Sequence, residues 1–350
     1  MSVDLRELLQ LVVEKNASDL HLTDGEPPIL RVDGELVPTE APRLTADDTK
    51  RMIYGVLTDK QKVQFEEQME LDFSLYIPNI SRFRVNVHQQ RGCVEAAFRV
   101  VLLNIRSIEE LGLPAIAGKL ALKANGLVMI TGPTGMGKTT TLAAMVGLIN
   151  TERSCLIVTI EDPIEYLFRN KKSIIKQREV GSDTHTFASA LKHVLRQDPD
   201  VILIGEMRDL ETIATAMTAA ETGHLVLSTL HTPDAPQTID RIIDVFPPHQ
   251  QQQIMVQLAG CIQGIVAQQL LPRKDGRGRI VATEVMVGTD AVRSCVRERR
   301  THQLNTIIQT GSQFGMSTMD KSLKELYLKG IITYETAIAR AKNIHDFKNL

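Results

Sequence analysis

The chain has 350 residues with 40 basic and 42 acidic side chains, a formal net charge of −2. Its length bounds about two domains, and its near-neutral charge, 4% aromatics and absent Trp exclude a base-stacking nucleic-acid binder. Cys93, Cys155, Cys261 and Cys295 form no CxxC pair, which excludes a zinc ribbon and a disulfide framework and suits a reducing cytosol. Asp4, Arg6 and Glu7 are unlike a secretory signal, and no apolar run is long enough to span a membrane.

Residues 1–101 read as a small α+β domain. Leu5, Leu8, Leu9 and Val12 mark one face of an opening helix. Val32-Asp33-Gly34 lies between two short apolar runs and signals a hairpin. Thr45 is an N-cap with Asp47 and Asp48 in the first turn, followed by Met52, Ile53, Val56 and Leu57 at helical spacing. Thr58 and Gln61 form a capping box for the next helix. Three strand-like runs, 71–77, 82–88 and 93–101, are separated by Pro78-Asn79 and Arg91-Gly92 and predict an antiparallel meander.

Residues 102–118, punctuated by Gly112, Pro114 and Gly118, read as a linker. Short apolar strands at 127–130, 155–160, 201–204 and 224–230 then alternate with helices, which predicts a mostly parallel, helix-covered sheet. From Pro248 onward the pattern is mostly helical, broken by a hairpin around 273–285. The expected division is an α/β core over 119–270 and a helical C-terminal region over 271–350.

The chemistry begins at Gly132-Pro133-Thr134-Gly135-Met136-Gly137-Lys138-Thr139-Thr140. The positions of GxxxxGK[ST] are all present, between an apolar strand and a helix over about 138–149. Glycines let backbone amides surround a phosphate, and the helix start adds its partial positive charge. Lys138 is expected to reach the β- and γ-phosphates of ATP, and Thr139 to ligate Mg²⁺.

Ligands of open α/β sheets sit at the carboxyl ends of the strands. Two strands end in acids there, at Glu161-Asp162 and Gly205-Glu206, whereas Asp200 lies at the wrong end. Glu206 is expected to orient or deprotonate the attacking water and Glu161 to help hold Mg²⁺. The alternative for Glu206 is a carboxylate favoured only by a helix dipole. Glu165 is either functional or merely solvent-facing. His231 ends the strand 225–230 where a γ-phosphate sensor belongs, and His224 starts it; either can instead be a structural, hydrogen-bonded histidine. Arg82 and Arg84 share one strand face, which suits a phosphate supplied by a neighbouring subunit or simply a solvated face.

Several segments together resemble the secretion-superfamily ATPases, most closely the type IV pilus retraction ATPases. Ser18-Asp19-Leu20-His21-Leu22 is similar to the family's N-terminal signature, and TIEDPIEY at 159–166 to its Asp box, with Asp162 and Glu165. Gly205-Glu206-Met207-Arg208-Asp209 resembles its atypical Walker B end. GHLVLSTLHTPDAPQTIDR at 223–241 resembles its His box and places both His224 and His231 on family positions.

This resemblance implies a homohexameric ring of two-domain subunits. Each would have a PAS-like N-terminal domain, supplying arginines to the nucleotide, and a RecA-like P-loop ATPase domain with a helical C-terminal part. It implies ATP and Mg²⁺ as cofactors, no direct nucleic acid, and a place at the cytoplasmic face of the inner membrane. Membrane association would come only through partners, first an inner-membrane pilus platform protein. Extension and type II secretion motors carry a further N-terminal domain and a four-cysteine zinc module. Ala291–Glu298, AVRSCVRE, resembles the retraction segment AIRNLIRE but departs at Val292, Ser294, Cys295 and Val296, so an accessory retraction paralogue stays open. Val292, Cys295 and Val296 should line one helix face, with Arg293, Arg297, Arg299 and Arg300 left for solvent or neighbours. Polar residues at 292 and 296 are then expected to spare fold and hydrolysis while uncoupling movement.

Overall fold

The computed structural model describes residues 4–32, 34–101 and 104–347. They group into two units, Met1–Asn104 with Pro163–Leu167, and Ile105–Asp162 with Phe168–Leu350.

The first unit contains α1 (Leu5–Glu14), β1 (Asp19–Leu22), β2 (Ile29–Val32), β3 (Glu35–Pro38), α2 (Ala46–Tyr54), α3 (Asp59–Gln68), β4 (Glu70–Ile77), β5 (Ser81–Gln90) and β6 (Cys93–Val100). Its sheet is antiparallel in the order β3-β2-β1-β6-β5-β4. The expected caps are present. Thr45 and Asp48 cap α2 reciprocally, and Thr58 and Gln61 do the same for α3. Leu5, Leu8, Leu9 and Val12 bury one face of α1 in a core with Leu20, Phe83, Val85, Val87 and Phe98. The 28–37 hairpin forms as β2 and β3, with Asp33 itself outside the described residues. Strand β1, too short for its alternation to register, joins the hairpin to the meander by pairing with both β2 and β6.

The second unit follows with α4 (Ala115–Ala121), β7 (Gly126–Thr131), α5 (Lys138–Glu152), β8 (Leu156–Glu161), β9 (Ile174–Glu179), α6 (Phe187–Val194), β10 (Val201–Ile204) and α7 (Leu210–Glu221). Then come β11 (Leu225–Leu230), α8 (Ala235–Asp244), α9 (Pro248–Cys261), β12 (Ile262–Pro272), β13 (Arg279–Val287), α10 (Asp290–Arg297), α11 (Leu304–Thr310), α12 (Met319–Leu328) and α13 (Tyr334–Ile338). The sheet order is β13-β12-β7-β11-β10-β8-β9, parallel throughout except for β13. Side chains of a strand alternate between faces. Leu127, Met129, Val158 and Ile160 pack with residues of α6, α7, α8 and α9, while Val128, Ile130, Ile157 and Leu203 pack with those of α4 and α5. Burial on both faces is why these strands read as continuous apolar runs.

Three expectations change. Residues 104–118 are not a free connector, because Ile108, Leu113 and Ala117 are buried in the second unit's core. The hairpin near 273–285 is longer than its turn suggested: β12 begins at Ile262 and pairs parallel with β7, so the hairpin extends the central sheet. The expected 270/271 boundary therefore cuts through a strand. The third concerns α10. Val292, Cys295 and Val296 do share a face, but it is sealed in the main core at 0%, 4% and 0% exposure. Polar groups there would be buried without partners, so the expectation of an intact fold fails. Nor is Arg293 left for solvent. Its guanidinium donates to the carbonyls of Gly288 (2.9 Å), Ala259 (2.9 Å), Ile262 (2.8 Å) and Gly260, clasping the end of α9 to the start of β12.

Candidate nucleotide site

Strand register places the site. Ile160 of β8 lies level with Ile204 of β10, which pairs with Ser228 of β11, and Leu230 of β11 lies level with Thr131 of β7. The residues that follow these strand ends therefore gather along one edge of the sheet: Glu161, Gly205-Glu206, His231 and the loop from Gly132.

The loop leaves β7 and enters α5 at Lys138. Gly132 has φ 142°, and a Cβ there would lie 2.4 Å from the Gln268 carbonyl oxygen, so no other residue fits. Gly137, at φ 80°, is the N-cap of α5 and provides no side-chain cap, which leaves the first-turn amides for an anion. Lys138 is 8% exposed. Its Nζ donates to Gly132 O at 2.8 Å and Pro133 O at 3.1 Å, curling over the loop. Burial lowers its pKa, and the Glu206 charge partly opposes that. Thr134 is exposed, whereas Met136, Thr139 and Thr140 are half-buried.

His231 connects the loop to the acid. Its Nδ1 lies 3.4 Å from Lys138 Nζ and 3.4 Å from Thr134 Oγ1, and its Nε2 lies 3.4 Å from Glu206 Oε2. Because the ammonium can only donate, Nδ1 accepts, which leaves the proton on Nε2, facing the carboxylate. The other Glu206 oxygen pairs with Arg208, whose side chain is 73% exposed against 13% for Glu206. The Gly205-Glu206 backbone is pinned, with Gly205 N donating to Ile160 O and Thr229 Oγ1 donating to Gly205 O at 2.6 Å.

Glu161 is buried and accepts from Thr159 Oγ1 at 2.6 Å and Gln177 Nε2 at 3.2 Å, so its carboxylate is fixed. Carboxylates and a first-turn threonine hydroxyl are the hard oxygen donors that suit Mg²⁺ shared with phosphates, and the uncapped amides with Lys138 suit the phosphates themselves.

Other expected residues fall elsewhere. Asp200 accepts from Leu156 N at 2.8 Å at the opposite sheet edge. His224 is there too: its Nδ1 contacts Ala219 O at 3.0 Å. With about 3.3 Å per strand residue it lies roughly 20 Å along β11 from His231. That distance takes His224 out of this chain's own phosphate loop. Asp162 and Glu165 are exposed. Arg82 and Arg84 stand on β5 of the first unit, half-buried and exposed respectively, while Phe83 and Val85 point into its core.

Sequence reasoning missed Gln268 and Thr141. Gln268 Nε2 donates to Met136 O at 2.6 Å, and Thr141 Oγ1 donates to Gln268 Oε1 at 2.9 Å. The only signal was a pair of glutamines, Gln268-Gln269, inside an otherwise apolar run.

A phosphate loop between a parallel strand and a helix, with acids and a histidine on the adjoining strand ends, defines a P-loop ATPase of the α/β class. The family described as Type II/IV secretion system protein matches residues 2–339. The chain is 46% identical over 345 residues to the type IV pilus retractation ATPase PilT of Pseudomonas aeruginosa, covering 99% of this chain and 100% of that one. It is 42% identical over 346 residues to the type IV pilus ATPase PilU of the same organism, covering 99% and 91%. A crystal structure of the pilus retraction motor PilT with bound ADP matches with a TM-score of 0.92 at 45% identity, covering 99% of this chain and 100% of that one. The chain belongs to the type II/IV secretion system protein family.

Proposed function

We propose that this protein is the ATP-hydrolysing motor that powers type IV pilus retraction, and so twitching motility. The observation that carries the reading is end-to-end similarity: a PilT relative is matched over 99% of this chain and 100% of its own length.

In this reading the loop amides and Lys138 hold the β- and γ-phosphates. Thr139 and Glu161 hold Mg²⁺, which when bound neutralises phosphate charge. Glu206 orients the attacking water and accepts its proton as the bond to the γ-phosphorus forms and the bond to the ADP oxygen breaks. His231, touching both Lys138 and Glu206, reports whether the γ-phosphate is present. Arg82 and Arg84 stabilise transition-state charge on a neighbouring subunit's nucleotide in a homohexamer. Asp162, Glu165, Arg208 and His224 are placed outside the chemical step. Among the described residues no helix is long and apolar enough to cross a membrane. We place the ring at the cytoplasmic face of the inner membrane, held by a pilus platform protein.

The test is a deletion strain scored for surface pili and for twitching, complemented with wild type or Lys138→Ala. Retained pili with lost movement, restored only by wild type, support retraction. Lost pili indicate an extension motor and overturn the reading. The 42% identity to PilU favours a second reading, an accessory retraction ATPase. Twitching that persists in the deletion would point to it.

A further inference from the structure

An anion-binding loop must turn its amides inward. In a trans peptide the C=O and N–H point to opposite sides, so the loop carbonyls must turn outward and find donors of their own. Lys138 supplies the donor for two of them, Gly132 O and Pro133 O, although the Gly132 carbonyl shares its peptide with a proline nitrogen that has no hydrogen to turn inward. At the peptide between Met136 and Gly137 the donor comes from a different element, β12.

We propose that Gln268 is a positioning residue for the phosphate loop: its carboxamide holds the Met136 carbonyl outward and thereby aims the Gly137 amide at the bound phosphates. The inference rests on the nucleotide-binding reading above and deepens it.

Gln268 is buried at 1% exposure, one residue past the Ala267–Thr131 pair that joins β12 to β7. Its Nε2 lies 2.6 Å from Met136 O. A carbonyl only accepts, so the NH₂ end faces it. The Oε1 end then faces Thr141 Oγ1 at 2.9 Å, whose hydroxyl donates. Thr141 is buried at 3% exposure on α5, so one end of the carboxamide is anchored to the loop and the other to the helix that carries Lys138. The strand closes on the loop at two further points. Leu270 N lies 3.2 Å from Met136 Sδ, and the Gln268 carbonyl occupies the space a Cβ at Gly132 would need. Rotation of the 136–137 peptide would leave Met136 O without its donor and turn Gly137 N–H away from the anion, so the carboxamide selects one loop conformation. Gln268 itself reaches Met136 and Thr141, which makes its effect on phosphate indirect.

The experiment measures ADP binding by titration calorimetry, ATP turnover, and nucleotide-free melting temperature for the full chain. The variants are Gln268→Met, Thr141→Val, Thr141→Ser and the Gln268→Met/Thr141→Val pair, with Lys138→Ala as the control for lost phosphate binding. Gln268→Met is expected to weaken ADP about tenfold, because binding must then hold the part-buried Met136 carbonyl outward without its donor. KM for ATP should rise in parallel while kcat changes less, because the interaction is already made in the ground state. Thr141→Val should weaken ADP less, Thr141→Ser should restore it, and the pair should be no weaker than Gln268→Met alone, since both act through one carboxamide. If Gln268→Met proves too unstable to assay, the Thr141→Val and Thr141→Ser comparison decides alone. ADP affinity within about twofold of wild type in Gln268→Met and Thr141→Val overturns the inference, as do additive effects in the pair. So does a loss of affinity that only tracks a fall in nucleotide-free melting temperature. A wild-type protein that fails to bind ADP would instead overturn the nucleotide-binding reading.

Discussion

Replacing Arg293 with Met tests what the AVRSCVRE helix does in this fold. The guanidinium donates to the carbonyls of Ala259 (2.9 Å), Gly260, Ile262 (2.8 Å) and Gly288 (2.9 Å). These are the last carbonyls of α9, the first of β12 and the turn before α10, so one side chain satisfies the junction of three elements. A hydrogen bond to a charged group contributes roughly 1.5–3 kcal/mol when its partner stays dry. The side chain is only partly buried, and water can replace some of its bonds, so about one such bond is lost in full. A cation at a helix C-terminus adds about 0.3–1 kcal/mol. The sum is about 3 kcal/mol, which for a unit of this size lowers the melting temperature by about 6–12 °C. Differential scanning calorimetry of nucleotide-free wild type, Arg293→Met and Arg293→Lys measures it. Lys should recover only part, because an ammonium cannot present the guanidinium's planar fork of donors. If Arg293→Met melts within about 2 °C of wild type, the clasp does not hold the junction and the reasoning from those contacts is wrong.

Glu206→Gln should keep ATP binding while turnover falls about 10²–10⁴-fold; an active Glu206→Gln with a dead Glu161→Gln would reverse the two roles. Arg82→Ala or Arg84→Ala should lower turnover, by up to about 10³–10⁵-fold for a residue acting as an arginine finger. Mixing such a variant with Lys138→Ala should recover some activity, and no recovery in rings shown to have mixed would make these arginines structural. Lys342 Nζ donates to Asp234 Oδ2 at 2.8 Å and Glu284 Oε2 at 3.3 Å. Burial lowers its pKa, but the Asp234 hydrogen bond and the Glu284 and Asp234 charges outweigh this and leave it raised. A raised pKa means its stabilisation is complete below the unfolded value of about 10.4 and is lost as pH rises through the folded value. The melting-temperature gap between wild type and Lys342→Met should therefore stay level from about pH 6 to 9 and close only in stronger alkali. A gap that closes near neutral pH would contradict the assignment.

Much of the fold was legible because its signals are local. Capping at Thr45 and Thr58 depends on residues within one helical turn; the Thr45 N-cap and the Thr58–Gln61 box form as read, and Asp48 closes a second box at Thr45. The phosphate loop needs only a strand, its glycines, Lys138 and a helix, all contiguous in the chain. Glu161, Glu206 and His231 could be placed because parallel strands bring their carboxyl ends to one edge. The same rule separates His231 from His224, which sits at the far end of β11 although both lie in one motif.

What the sequence by itself determined was the class of chemistry and the elements that carry it. A GKT-bearing loop and acids at strand ends specify phosphate handling wherever the chain places them. Only the tertiary structure decided that β12 would lie beside β7. With that pairing came the Gln268 carboxamide on Met136 and Thr141, and the burial of α10 behind Arg293. Residues 262–272 follow directly on α9 with no turn signal, and an apolar run buried on both faces has no periodicity to tell strand from helix. The choice of neighbour is made by which edge of the sheet remains open once the parallel strands have paired. That is a property of the assembled layers, and no window of the sequence contains it.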